Sequence, residues 1–199
     1  DQIWLCVGSH ATGGTWVEEL AAAAPQAVFV SLQPGLEDRV QMEQRVGKAR
    51  LATGLITMIS WQAPLPNEKL HPPGIMYWLP PLAPNLFDGP EGAVRDIVRT
   101  LRRGGCGARH KKKLTVFSAQ GEAWLQPFVM ALEAAEWSWK QLAEGPMLDV
   151  GVRAAQESLA VAAAYHATTP GPIRFLARHW VMRLVLKLAP KLMPFDVET

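Results

Sequence analysis

Residues 109–128 read RHKKKLTVFSAQGEAWLQPF, and this stretch divides the chain by character. Before it, short apolar runs alternate with amphipathic segments; after it, one helical pattern follows another. Within it, Leu114, Phe117, Trp124 and Leu125 approximate one face of a helix. Lys113 opens that helix, beside His110, Lys111 and Lys112. A lysine in a first turn, where two structural halves meet, sits where clefts form. The same basic residues also read as a solvated cluster flanking a core helix.

Upstream, residues 3–8 (IWLCVG) and 27–32 (AVFVSL) are short apolar runs of the kind that form strands covered on both faces. Cys6 falls in the first and reads as buried. Residues 16–24 read as a helix stopped by Pro25, and 36–46 as a charged amphipathic helix. Residues 50–61 (RLATGLITMISW) read as a third strand. Strand and helix alternating through tight turns predict a parallel sheet with helices on its faces. Residues 62–90 are rich in proline, and 75–79 (IMYWL) are expected to continue the sheet at its edge. A helix over 92–103 closes on Gly104 and Gly105. With Gly107, that pair marks the expected boundary between a domain of residues 1–105 and a helical one of residues 106–199. Downstream, helices are expected over 111–126, 128–136, 137–144, 148–166 and 172–188. Pro127 forces a kink or break between the first two, and Pro172 starts the last at a permitted position.

With 49% hydrophobic and 19% charged residues, the 199-residue chain is globular in composition. A net charge of +2 does not argue for nucleic acid, and no aromatic platform accompanies residues 110–113. Two cysteines far apart, Cys6 and Cys106, make a reducing cytoplasm the default location. The five histidines show no metal-ligand spacing. Prolines and glycines interrupt every long uncharged run, so none reads as a membrane span.

In an open parallel sheet, ligands bind beyond the carboxyl ends of the strands. Here those ends carry Gly8, Ser9 and His10 after the first strand, and Gln33, Pro34 and Gly35 after the second. Small and turn-forming residues let a ligand approach the backbone, and they equally make ordinary turns. No G-x-G-x-x-G occurs, and no G-x-S-x-G surrounds Ser9. The pairs Glu18/Glu19 and Glu133/Glu136 read as solvated helix faces. In the last helix, Arg174, Arg178, Arg183, Lys187 and Lys191 recur beside Phe175, Leu176, Trp180, Leu184 and Leu188. That pattern fits a membrane-surface helix. It also fits a domain helix whose basic stripe faces solvent or a partner subunit.

Taken in order, the blocks are IWLCVG, LQPGLED, VGKARLATGLI, HPPG, LRRGG and KKLTVFSAQGEAWLQPF. Over residues 1–139 this order resembles the ketopantoate reductase (2-dehydropantoate 2-reductase) family. The resemblance implies an α/β fold, a Rossmann-type parallel sheet portion followed by an all-α domain. It implies NADP as cofactor at Gly8, Ser9, Gln33, Pro34 and Gly35, and a small 2-keto acid as substrate. It implies Lys113 as the catalytic group, stabilising the developing alkoxide and donating a proton. It further implies a glycine-rich nucleotide turn upstream of Asp1 and more chain beyond Thr199. The family's asparagines one and two turns past the lysine fall on Phe117 and Gly121. Its lysine after the first strand falls on Gly8, and the asparagine of its L-Q-N-G turn on Pro34. These replacements define an alternative, a non-catalytic descendant whose helical half serves as a homodimerisation or peripheral-membrane module.

Overall fold

The computed structural model describes residues 1–33, 35, 37–65, 69, 72–80 and 83–192. They form two compact units, one of residues 1–63 and 70–115 and the other of residues 64–69 and 116–199.

The first unit holds β1 (Gln2–Leu5), α1 (Trp16–Ala23), β2 (Val28–Ser31), α2 (Asp38–Val46) and β3 (Leu51–Leu55). It continues through β4 (Ile59–Ala63), β5 (Gly74–Trp78), β6 (Asn85–Asp88), α3 (Glu91–Arg103) and β7 (Ala108–His110). The main sheet runs β1-β2-β3-β6-β7, parallel except where β3 meets β6. Side chains alternate across it, as the two-residue period of a strand requires. Phe29 and Leu51 face a core with Val17, Met42 and Val46 from α1 and α2. Val30 and Ala52 face the other side, against Val94 and Ile97 of α3. Both faces are therefore covered, and the expected α/β sheet portion is present.

The structure differs from four expectations here. The third strand is not continuous: β3 pairs with β6, while β4 leaves to pair antiparallel with β5 in a separate two-stranded sheet. The aromatic strand over 75–79 thus belongs to that hairpin rather than to the edge of the main sheet. The glycines at 104–107 turn α3 into β7 instead of leading out of the domain, with Gly105 at φ 79°. The first unit consequently runs on to Thr115. Cys6 lies just beyond the end of β1 and is exposed, not buried.

The second unit comprises α4 (Leu114–Ala134, of which residues 116–134 lie in this unit), α5 (Trp139–Glu144), α6 (Met147–Tyr165) and α7 (His179–Leu192). Pro127 sits inside α4 without ending it. Proline removes one helical hydrogen bond, but Phe128, Ala131 and Ala135 beyond it are buried against Leu142, Leu148 and Val152. Burial of that face keeps the helix continuous across the proline. Ser138 caps α5 by accepting the Gln141 N–H, which moves the helix start from Trp137 to Trp139. Before α7, residues Pro172–Phe175 form a single 3-10 turn. The Ala177 carbonyl that follows accepts the Gln156 side-chain amide at 2.8 Å. Gly151 lets α6 approach α4, since a Cβ there would lie 3.1 Å from that of Ala131. An all-α portion after the sheet is as expected. Among the described residues, no helix is long and apolar enough to cross a membrane.

Candidate functional site

The carboxyl ends of β1 and β2 are tied together by one buried side chain. Gln33 is 7% exposed, and its amide nitrogen donates to the Leu5 carbonyl at 2.9 Å and the Val7 carbonyl at 2.6 Å. Its amide oxygen accepts the Ser31 hydroxyl at 2.6 Å. Both donors and the acceptor are engaged, so Gln33 braces the loops and has no amide hydrogen left for a ligand. Its place in a binding site is that of a positioning residue.

A second tie lies further out. Asp38, at the start of α2, accepts the Ser9 hydroxyl at 2.7 Å and the Gly35 N–H at 2.8 Å through the same oxygen. Gly8 is exposed and extended, with φ −67° and ψ 154°. A Cβ on it would meet the His10 ring at 2.8 Å, and one on Gly35 would meet the Asp38 carboxylate at 2.5 Å. The loop from Ser9 to Gly13 is pinned in turn by Arg45, which donates to the carbonyls of Thr12 and Gly14. Gly8, Ser9, Gln33 and Gly35 therefore come together on adjacent strand ends. Pro34 lies outside the described residues. Asp38 is the member that sequence reasoning missed. Its signal was an acid three positions after a loop glycine, the spacing at which a carboxylate reaches back to a free N–H at a helix start.

Lys113 stands differently. It is exposed and left-handed, with φ 58°. The next residue is anchored, because the Leu114 N–H donates to Asp88 at 3.2 Å. Asp88 also accepts from Arg39 at 3.3 Å and lies 3.7 Å from the His110 imidazole. The registers Leu5↔Ser31, Ser31↔Thr53 and Thr53↔Asp88 place Asp88 in one row with the ends of β1 and β2. Three strand spacings separate Asp88 from Leu5, about 14 Å. Yet β7 runs opposite to β1, so the chain passes Lys113 heading away from the side on which Gly8 and Gly35 emerge. Among the described residues, no hydrogen bond or ion pair joins Lys113 to either loop.

The basic residues near Lys113 extend further than the sequence pattern suggested. Arg95, Arg99, Arg102 and Arg103 of α3 line, with His110, a hollow of about 640 Å³. Residues 91–113 hold eight arginines and lysines against two acids, Glu91 and Asp96. The helical period of α3 brings its arginines onto one exposed face.

No protein-family model matches the chain, and no curated protein matches it. Solved structures do. A D-mandelate dehydrogenase, in complex with NADH, is 13% identical at a TM-score of 0.68, with 92% of this chain and 59% of that chain covered. The 2-dehydropantoate 2-reductase of Geobacter metallireducens GS-15 is 15% identical at a TM-score of 0.69, with 100% and 64% covered. A ketopantoate reductase from Ralstonia eutropha JMP134 is 16% identical at a TM-score of 0.62, with 98% and 59% covered. The chain shares the fold of these proteins, a Rossmann-type sheet followed by helices, and spans about three-fifths of their length.

Proposed function

We propose that this chain works as a nicotinamide-dinucleotide-dependent oxidoreductase that interconverts a small 2-keto acid and its 2-hydroxy acid. The observation that carries the proposal is the braced pair of loops beyond β1 and β2. Gln33 fixes the strand ends, while Ser9 and Asp38 present a polar rim held to Gly35. Such a rim suits part of a dinucleotide, because the Asp38 carboxylate and the Ser9 oxygen can accept hydrogen bonds from sugar hydroxyls. The bound nicotinamide supplies the hydride. NADP is the dinucleotide that the family resemblance favours. Matches to a 2-dehydropantoate 2-reductase and a D-mandelate dehydrogenase in the same fold support a 2-keto or 2-hydroxy acid as substrate. The family resemblance offers Lys113 as the donor of the proton to the substrate oxygen, a role that the course of the chain after β7, away from the Gly8 and Gly35 loops, does not favour.

The test is a titration of the full-length protein with NADPH and with NADH, following dinucleotide fluorescence. Saturable binding is expected, weakened roughly ten- to hundredfold by Asp38→Asn, the scale of one charge-assisted hydrogen bond. Turnover of 2-keto acids by Lys113→Ala decides the lysine's role, since a general acid contributes about 10²–10⁴. Absence of saturable binding to either dinucleotide overturns the proposal. Full turnover in Lys113→Ala removes the lysine's role and leaves the binding site standing.

A further inference from the structure

The helical unit carries a surface that the oxidoreductase reading does not use. In α7, Val181, Met182 and Leu186 are buried, as an amphipathic helix requires. The opposite face is apolar as well. Trp180 is 58% exposed, Leu184 50% and Leu188 45%, a stripe at a spacing of four residues. Phe175 extends the stripe before the helix, its ring edge-on to Trp180 at 5.5 Å. Arg183 and Lys187 are exposed along the same side. From Ser158 to Phe195 the sequence contains no acidic residue.

A cavity of about 740 Å³ opens beside the stripe, lined by Gln156, Pro172, Arg174, Phe175 and Arg178. That size suits a small polar ligand. Arg178 lies over the Phe175 ring at 5.0 Å, which fixes its guanidinium at the cavity wall. Aromatic and aliphatic side chains flanked by cations match the boundary of an anionic bilayer, with Asp149 of α6, 3.3 Å from His179, the acid that the structure brings against the start of α7. The charge also decides against the main rival. Pairing this face with a second copy of itself would set arginine against arginine, which like-charge repulsion opposes.

We propose that the Phe175–Trp180–Leu184–Leu188 stripe and the Arg174/Arg178 cavity form a docking surface for an anionic lipid bilayer, the arginines taking phosphate headgroups and the stripe entering the acyl boundary. The proposal is independent of the dinucleotide site, and its test needs no dinucleotide. Full-length protein is floated with vesicles of phosphatidylcholine alone, and of phosphatidylcholine with phosphatidylglycerol, at low and high salt. Binding to the anionic vesicles alone, released by high salt, is expected. Each of Arg174→Gln and Arg178→Gln should weaken binding about fivefold, the factor for roughly one kcal/mol per basic residue. Trp180→Ser with Leu184→Ser should weaken it too while leaving the circular dichroism spectrum unchanged. Lipids brominated along the acyl chain should quench the wild-type protein more than Trp180→Phe. Equal binding to neutral and anionic vesicles overturns the proposal. So does wild-type flotation of the substituted proteins, or a stripe-dependent dimer that ignores both vesicles.

Discussion

Gln33 shows how much of a site can rest on one side chain that touches no ligand. Its amide spans two strand ends, so Gln33→Leu would keep the volume and leave the Leu5 and Val7 carbonyls without their donor. A loss of roughly 1–3 kcal/mol in urea unfolding is expected, the range for a buried acceptor left unsatisfied. Dinucleotide affinity should fall with it, although no contacting group has been removed. Unchanged stability would mean that the brace is dispensable. Gly89 is a second such point. Its φ is 149°, and a Cβ there would meet the Leu51 carbonyl oxygen at 2.8 Å and the Ala52 Cα at 2.9 Å. Both neighbours are backbone in the adjoining strand, so neither can swing aside. Gly89→Ala should therefore destabilise the sheet by about 1–3 kcal/mol, as left-handed strain and close approach combine. A midpoint within error of wild type would contradict this. In sequence, Gly8 and Gly35 read as approach points by smallness alone; in the structure the space beside each is taken by the side chains of His10 and Asp38. Asp38 was not readable, because a carboxylate that reaches backward three residues looks like any charge on a solvated helix.

The elements that the sequence misreads are those whose partners lie far along the chain. β6 is four residues between prolines, and β7 is Ala108–His110, two of its three residues polar. Neither carries the alternation of a strand; each exists because β3 and β6 offer open ladders. Local chemistry predicted a kink or break at Pro127, and the continuous helix removes the break for the same reason in reverse. Ring and missing N–H are local, whereas the burial that overrides them comes from α5 and α6. That balance can be measured. Pro127→Ala restores a donor in the middle of α4, and proline disfavours a helix interior by about 3 kcal/mol relative to alanine. The thermal midpoint should rise, by an amount equivalent to roughly 1–3 kcal/mol. A fall would show that the helix is shaped around the proline ring.

At the scale of the whole chain, composition and alternation were enough for an α/β portion followed by helices, because both layers obey simple periodicities. Where one part ends was not legible, since glycines that close a helix look the same whether the chain next leaves a domain or turns into a further strand. The two units have separate cores: Phe29, Leu51 and Phe87 lie in the sheet clusters, while Leu148, Leu159 and Met182 lie in the helical one. Separate cores permit separate unfolding, because cooperativity follows shared burial. Leu148 is 1% exposed, and Leu148→Ala should remove about 2–5 kcal/mol from the helical unit. Hydrogen exchange resolved along the chain then decides the matter. Faster exchange in α4 to α7 with unchanged protection in β1, β2 and β3 is the expected outcome. Acceleration that spreads equally through the strands would show that the chain unfolds as one body, and that the cavity left by Leu148 is felt by the loops beyond β1 and β2 as well.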